Sequence, residues 1–111
     1  MFSLEWCEFC WSVRKMFKEM DIPYRSVDLD STVYQDNDLG GQIRTALTAR
    51  TSVKTIPQIF VGGKFLGGCS ETFDAQKDGR LQDLLRQNNV TFNESVDVDP
   101  YSLLPGWLHP R

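Results

Sequence analysis

Two cysteines separated by two residues, Cys7 and Cys10, are the side chains of this sequence best suited to chemistry. A Cys-x-x-Cys pair that follows a strand and opens a helix is typical of a redox-active dithiol. Free backbone N–H groups and the positive end of the helix dipole favour an anion at a helix start, so they stabilise a thiolate there. The thiolate is the nucleophile in thiol–disulfide exchange. We therefore predict that Cys7, nearer the helix start and the solvent, attacks and that Cys10 resolves.

The cysteine pair admits two other interpretations, a zinc site and a structural disulfide. A zinc site needs two further ligands, and the sequence offers only Cys69 and His109, with no second closely spaced ligand pair. A structural disulfide is disfavoured because three cysteines leave one unpaired and no secretory signal is visible. The redox pair is therefore the leading interpretation, and we expect no metal requirement.

Length and charge narrow the class of protein. A chain of 111 residues forms one domain that can bury a core without disulfides. A net charge of −3 disfavours a nucleic-acid partner, whose footprint is a basic patch. No apolar run approaches the ~18 residues that a membrane span needs. We therefore expect a soluble monomer, in the cytoplasm or another reducing compartment, with neither nucleic acid nor membrane as a partner.

A strand, a helix and a second strand are predicted around the cysteine pair. Residues 1–4 form a short strand, and the helix that follows is amphipathic because apolar residues recur at steps of three and four. The apolar residues are Phe9, Val13, Met16, Phe17 and Met20. The opposite, largely solvated face carries Arg14, Lys15, Lys18 and Glu19. Pro23 ends the helix, and residues 24–29 form a strand parallel to the first.

The remaining elements are predicted from turn residues and periodicity. In chain order they are a loop over 30–41, a helix over 42–50, a strand over 57–61, a hairpin turn at Gly62-Gly63, a strand over 64–67 and a helix over 70–87. Ser70 offers an N-cap for the last helix, and Asp78-Gly79 marks a break in it. Residues 90–111 lack this periodicity, and we predict an extension that packs either on the domain or on a partner.

Three separated stretches of the sequence carry a resemblance to one known family. Residues 2–10 are similar to an active-site stretch, Thr55-Ile56-Pro57 to a Thr-Val-Pro motif, and Gly67-Gly68-Cys69-Ser70-Glu71 to a Gly-Gly-Cys-Ser-Asp motif. Together, and in this order, they resemble the glutaredoxins over residues 1–89, which we treat as a glutaredoxin domain. The resemblance implies an α/β, thioredoxin-like fold with a mixed four-stranded sheet flanked by helices.

The same resemblance implies a glutathione site. Its predicted members, besides the two cysteines, are Arg44, Thr55, Ile56, Pro57, Gly68, Cys69, Ser70 and Glu71. The resemblance also implies a cis bond before Pro57, which would turn the backbone of Ile56 outward, where an extended peptide can pair with it. The N–H groups of Cys69 and Ser70, at a helix start, can hold a carboxylate, and Glu71 supplies a charge for an ammonium group.

Two positions depart from the family pattern. Leu4 stands where the family commonly has a lysine that helps to hold the glycyl carboxylate of glutathione, so we expect Arg44 to carry more of that anchoring. Glu8 stands where the family usually has Pro, Gly or Ser, and it places a carboxylate close to the Cys7 sulfur.

The resemblance implies a glutathione-dependent thiol–disulfide oxidoreductase. It would reduce glutathione mixed disulfides and protein disulfides, with glutathione as co-substrate and glutathionylated or disulfide-bonded proteins as clients. Two alternatives stay open. One is a [2Fe–2S] cluster scaffold or carrier, and the other is a thioredoxin-type disulfide reductase.

Overall fold

A strand–helix–strand unit opens the chain in the computed structural model, which describes residues 1–96 and 98–104. Strands β1 (Phe2–Ser3) and β2 (Val27–Asp28) are parallel, with Phe2 opposite Val27, and helix α1 (Glu8–Glu19) connects them. The parallel pair is therefore confirmed, but both strands are shorter than predicted. Beyond β1 the backbone forms hydrogen bonds with side chains, since the Leu4 carbonyl oxygen accepts a hydrogen bond from Arg14.

Two further strands form a hairpin beside the parallel pair. Strands β3 (Ile59–Val61) and β4 (Lys64–Gly67) are antiparallel, and Gly62 and Gly63 make the turn with φ of +56° and +82°. Both angles lie in the left-handed region that glycine adopts without strain, so the predicted turn is confirmed. An antiparallel bridge between Phe2 and Gln58 links the two ladders, with N–O distances of 2.8 and 2.9 Å. The four predicted strands thus form two connected pairs.

Helix α1 has the apolar face that the sequence predicts. Phe9, Val13, Met16, Phe17 and Met20 are all buried. The helix begins after Cys7, which is its extended N-cap residue. An acidic residue, Glu8, lies in the first turn and a basic one, Lys18, in the last, and both charges suit the helix dipole.

The C-terminal helical region is divided in two. Helix α3 (Cys69–Asp78) and helix α4 (Arg80–Gln87) are separated by Gly79, which has φ of +89°. The predicted break is therefore confirmed, and it lets Phe73 of α3 and Leu81 of α4 both enter the core. The predicted cap is wrong, because Gly68 is the N-cap residue and Ser70 already lies within α3.

Helix α2 (Leu39–Thr51) starts three residues before its predicted first residue. The predicted loop before it contains two short 3-10 turns, Thr32–Tyr34 and Asp36–Asp38. Of its apolar residues, Leu47 is buried, Ile43 is half-buried and Ala46 is exposed. Its contribution to the core is correspondingly small.

The C-terminal extension lies against α1 and α3 as far as it is described. The backbone N–H of Asn93 donates to the Met20 carbonyl oxygen at 2.7 Å. A 3-10 turn, Pro100–Leu103, follows, and the Ser12 hydroxyl donates to the Leu103 carbonyl oxygen at 3.2 Å. Residues 105–111, and with them the His109 of the zinc alternative, lie outside the described residues. Within the described part of the chain, no helix is long and apolar enough to cross a membrane.

Candidate active site

The two cysteines meet at the start of α1. The backbone N–H of Cys10 donates to the Cys7 Sγ, with an N–S distance of 3.4 Å. Cys7 is 8% exposed and Cys10 is completely buried, so Cys7 is the more accessible of the two residues, as predicted. A hydrogen bond with Cys7 and burial raise the pKa of the Cys10 thiol, against a smaller opposing effect of the Leu4 backbone N–H and Arg14. These contacts favour a neutral Cys10 thiol beside Cys7.

The three residues before Cys7 are held by side chains from elsewhere in the fold. The Asp30 carboxylate accepts the backbone N–H of Glu5 at 2.7 Å and that of Trp6 at 3.4 Å. The Trp11 indole N–H donates to the Glu5 carbonyl oxygen at 2.7 Å. Together with the contact between Arg14 and Leu4, these bonds fix the path of the chain into the N-cap.

A charged cluster underlies this loop. The Arg14 guanidinium lies 2.7 Å from the Asp28 carboxylate and 3.0 Å from the Ser3 hydroxyl, and the two charged side chains are only 22% and 29% exposed. Arg14 therefore does not belong to the solvated face predicted for it. Burial raises the pKa of Asp28, but hydrogen bonds from Ser3 and Ser26 and the nearby Arg14 outweigh that effect and hold it below its ordinary value.

The Arg14→Met substitution is expected to destabilise the protein by about 1–2 kcal/mol at pH 7, because Asp28 loses its cation in a half-buried site. The depressed pKa of Asp28 contributes stability above its unfolded pKa of about 3.9, and this is lost as the pH falls through the folded value. The gap between wild type and variant should therefore shrink between pH 6 and pH 3. Urea unfolding at both pH values measures it.

Lys15→Met is the matched control, because Lys15 is the exposed neighbour of Arg14 on the same helix. It is expected to change the free energy of unfolding by less than about 0.5 kcal/mol. Equal losses in the two variants, or a gap that stays constant with pH, would contradict a stabilising role for the cluster.

The other two motifs adjoin each other in the fold. The peptide bond between Ile56 and Pro57 is cis, as the resemblance implies. A Cβ built on Gly68 would lie 3.2 Å from the Pro57 carbonyl oxygen and 3.4 Å from a carboxylate oxygen of Glu71, so only glycine fits comfortably there. The structure therefore brings Pro57, Gly68 and Glu71 together. Ile56 and Cys69 are buried in the same apolar cluster as the active-site cysteines.

The remaining predicted site residues lie at the edges of this region. The Ser70 Oγ is buried and has no hydrogen-bond partner among the described residues. The Arg44 guanidinium donates to the Lys54 carbonyl oxygen at 3.5 Å, which places Arg44 beside the residue that precedes Thr55. Arg44 and Thr55 are both exposed.

Tyr101 is a residue of this region that motif analysis does not find. Its hydroxyl donates to the Asp74 carboxylate at 2.6 Å and lies 3.4 Å from the Ser70 carbonyl oxygen, and its ring meets Phe73 edge-on at 5.3 Å. Burial and Asp74 raise the pKa of Tyr101 to about 12. The extension is thus attached to the helix that carries the third motif.

Asp30 and Arg14 are also missed by motif analysis. A weak signal exists for Arg14, since a position four residues after Cys10 lies on the same side of the helix. For Asp30 the only signal is its place two residues after the end of β2. Within residues 1–96 and 98–104, the structure has no group of three or more His, Cys, Asp or Glu side chains that could hold a metal ion.

Comparisons with known proteins agree with the motif pattern. Residues 1–66 match the family model described as Glutaredoxin. The chain is 34% identical to "Glutaredoxin-2, mitochondrial" of Rattus norvegicus, an alignment that covers 89% of this chain and 60% of the rat protein. It is 37% identical to "Glutaredoxin" of Ricinus communis, with 78% and 80% covered. The chain therefore spans less than two thirds of the rat relative.

Comparison with solved structures also finds glutaredoxins. A buckwheat glutaredoxin–glutathione complex matches with a TM-score of 0.71 and 34% identity, over 79% of this chain and 76% of that one. Reduced glutaredoxin C1 from Populus tremula x tremuloides matches with a TM-score of 0.72 and 30% identity, over 81% and 73%. The predicted thioredoxin-like α/β fold is thereby confirmed. On sequence, motifs and fold together, the chain belongs to the glutaredoxin family.

Proposed function

We propose that this chain is a glutathione-dependent thiol–disulfide oxidoreductase that reduces glutathione mixed disulfides and protein disulfides. The observation that carries the proposal is the Cys7 sulfur at the N-cap of α1, with the Cys10 N–H directed at it. Helix-start N–H groups and the dipole favour a thiolate there. The buckwheat relative, solved as a glutaredoxin–glutathione complex, supports glutathione as the co-substrate.

On glutathione mixed disulfides the reaction needs Cys7 alone. The Cys7 thiolate attacks the glutathione sulfur, a disulfide forms between Cys7 and glutathione, and the client leaves as a thiolate that takes up a proton. A second glutathione thiolate then attacks this disulfide. Glutathione disulfide leaves, and the Cys7 thiolate is regenerated. Glutathione supplies both electrons.

On protein disulfides the buried Cys10 becomes necessary. Cys7 attacks one client sulfur and forms a mixed disulfide, while the other client sulfur leaves as a thiolate. Cys10, as a thiolate, then attacks the Cys7 sulfur, so that the client is released reduced and Cys7 and Cys10 form a disulfide. The Cys10 thiol stays neutral until this second step, which suits its raised pKa.

Glutathione is proposed to lie between the second and third motifs. The backbone of Ile56, beside the cis bond to Pro57, would pair with the cysteinyl part of the tripeptide. The helix-start N–H groups of Cys69 and Ser70 would hold the γ-glutamyl carboxylate, and Glu71 its ammonium group.

The glycyl carboxylate is proposed to lie at the opposite end. Arg44 beside the residue before Thr55 would supply its cation, with the Thr55 backbone next to it. Gly68 would leave room for the ligand backbone where a side chain would make a tight contact with the Pro57 carbonyl oxygen. Arg44 would thus replace the cation that Leu4 lacks.

We propose a reducing compartment for this activity, because free thiols are the working form of the enzyme. The rat relative is named as mitochondrial, whereas the Ricinus communis relative carries no compartment in its name. The clients are proposed to be glutathionylated or disulfide-bonded proteins. We further propose that the monomer is the working unit, that residues 1–89 form the glutaredoxin domain, and that residues 90–111 form its extension.

Turnover of a small glutathione mixed disulfide, coupled to glutathione reductase, tests the proposal. Wild type is expected to turn over, and Cys10→Ser is expected to retain at least about half of that rate, because only Cys7 takes part. The same Cys10→Ser variant should lose most of its activity on a protein disulfide, which is the internal control. An inactive wild type would overturn the proposal. An iron–sulfur absorbance that Cys7→Ser abolishes would then favour the cluster alternative.

A further inference from the structure

We propose that Trp6 and Trp11, with the carboxylates of Glu5 and Glu8, form a client-binding surface beside Cys7 that takes a lysine- or arginine-bearing segment next to the client disulfide. The inference rests on the proposed function and names the class of client it favours. We call these four residues the acidic aromatic surface.

The two tryptophans are unusually exposed for so apolar a side chain. Trp6 is 81% exposed and Trp11 40%, and their rings meet edge-on with centroids 6.2 Å apart. Exposed apolar clusters mark interaction sites, and tryptophan is the residue type that contributes most often to binding hot spots. Trp6 directly precedes Cys7 in the chain, so the exposed ring belongs to the residue next to the nucleophile.

The loop that presents Trp6 is fixed. Its backbone N–H groups bind Asp30, its Glu5 carbonyl oxygen accepts from the Trp11 indole, and its Leu4 carbonyl oxygen accepts from Arg14. The backbone of such a loop is held in place before the client arrives, so little backbone conformational entropy is lost on binding. Trp6 is therefore exposed at a position whose backbone is fixed.

The charge of the surface selects the client. Glu5 is exposed and Glu8 is half-exposed, and neither forms an ion pair within the described part of the chain. Leu4, in the same loop, supplies no cation where the family pattern commonly has a lysine. Two unpaired carboxylates attract a cation, and an indole face binds ammonium or guanidinium groups by cation–π attraction. A basic client segment can bind both the carboxylates and the indole face.

Two glutathionylated peptides test the proposal. They share one cysteine and length, and differ only in carrying two lysines or two glutamates beside the cysteine. The measured quantity is the ratio of kcat/KM for the lysine peptide to that for the glutamate peptide. We expect a ratio of about 10 at low ionic strength that falls several-fold in 0.5 M salt. A ratio near 1, or below it, in wild type overturns the proposal.

Three variants then test which residues cause the preference for the lysine peptide. Trp6→Ala and the double substitution Glu5→Gln/Glu8→Gln are each expected to lower the ratio at least about threefold. Tyr24→Ala, which removes another exposed aromatic ring outside this surface, should leave the ratio unchanged. If Trp6→Ala lowers kcat/KM for both peptides equally, the surface is an apolar one and the basic-client assignment is wrong.

Failure of this inference can be distinguished from failure of the proposed function. The small non-peptide mixed disulfide reports on the proposed function, because it has no flanking charges for the surface to read. Wild-type turnover of that compound together with a peptide ratio near 1 rejects only the basic-client surface. No turnover of that compound rejects the proposed function itself.

Discussion

Cys7→Ser is expected to lower the turnover of glutathione mixed disulfides on the order of 10³-fold or more. A serine hydroxyl at the N-cap of α1 stays un-ionised at neutral pH and does not form the covalent intermediate that the reaction needs. The fold is expected to survive, because serine is itself a preferred N-cap residue and accepts a helix N–H as the Cys7 sulfur does. The coupled glutathione reductase assay measures the loss.

Two controls accompany this variant. Circular dichroism and the urea midpoint should stay within experimental error of wild type, which separates lost chemistry from lost structure. Cys10→Ser, a change of the same atoms three residues away, should keep most of the activity on the same small substrate. If Cys7→Ser retains a tenth of the wild-type rate, the nucleophile is a different group, and Cys69 is then the first thiol to examine.

Phe73→Ala is expected to destabilise the protein by about 3–5 kcal/mol, because it removes a large, completely buried side chain from the core and leaves a cavity. Phe73 is also the ring against which Tyr101 of the extension packs, so the loss includes that contact. For a chain of this length the change corresponds to a fall of roughly 10–20 °C in Tm. Thermal and urea unfolding of wild type and variant measure it.

Two comparisons test whether the loss of stability in Phe73→Ala comes from the cavity. Phe73→Leu retains most of the buried volume and should cost less than half as much. Phe65→Ala removes the same ring from the half-buried hairpin strand β4, where solvent can fill the space, and should cost about 1 kcal/mol. A Phe73→Ala loss as small as that of Phe65→Ala would show that the extension or the neighbouring helices close the cavity.

Periodicity and local turn chemistry account for what the sequence predicts well. The apolar residues of α1 are all buried, because residues at steps of three and four share one face of a helix and that face packs against the core. Gly62-Gly63 and Gly79 occur where the backbone needs a positive φ, which few other residues adopt without strain. The three motifs near Cys7, Pro57 and Gly68 could be found without any structure, since each is contiguous in the sequence.

What the sequence does not reveal depends on pairs that are distant along the chain. Arg14 looks like a solvated helix residue until Asp28 and Ser3 are known to lie beside it. Ser70 resembles a helix cap, but the extended residue before α3 is Gly68, so the helix starts earlier and buries the hydroxyl. The contact of Tyr101 with Asp74 joins residues 27 positions apart and leaves no periodic signature.

The anchored loop before Cys7 also means that the pentapeptide Trp6-Cys7-Glu8-Phe9-Cys10 is not a portable module. Its position depends on Asp30 after β2 and on Arg14 a full turn beyond Cys10, neither of which lies within it. Grafted alone onto another strand–helix junction, the five residues would carry the two thiols without the hydrogen bonds that position them. A transplant of this chemistry would have to take the carboxylate and the guanidinium with it.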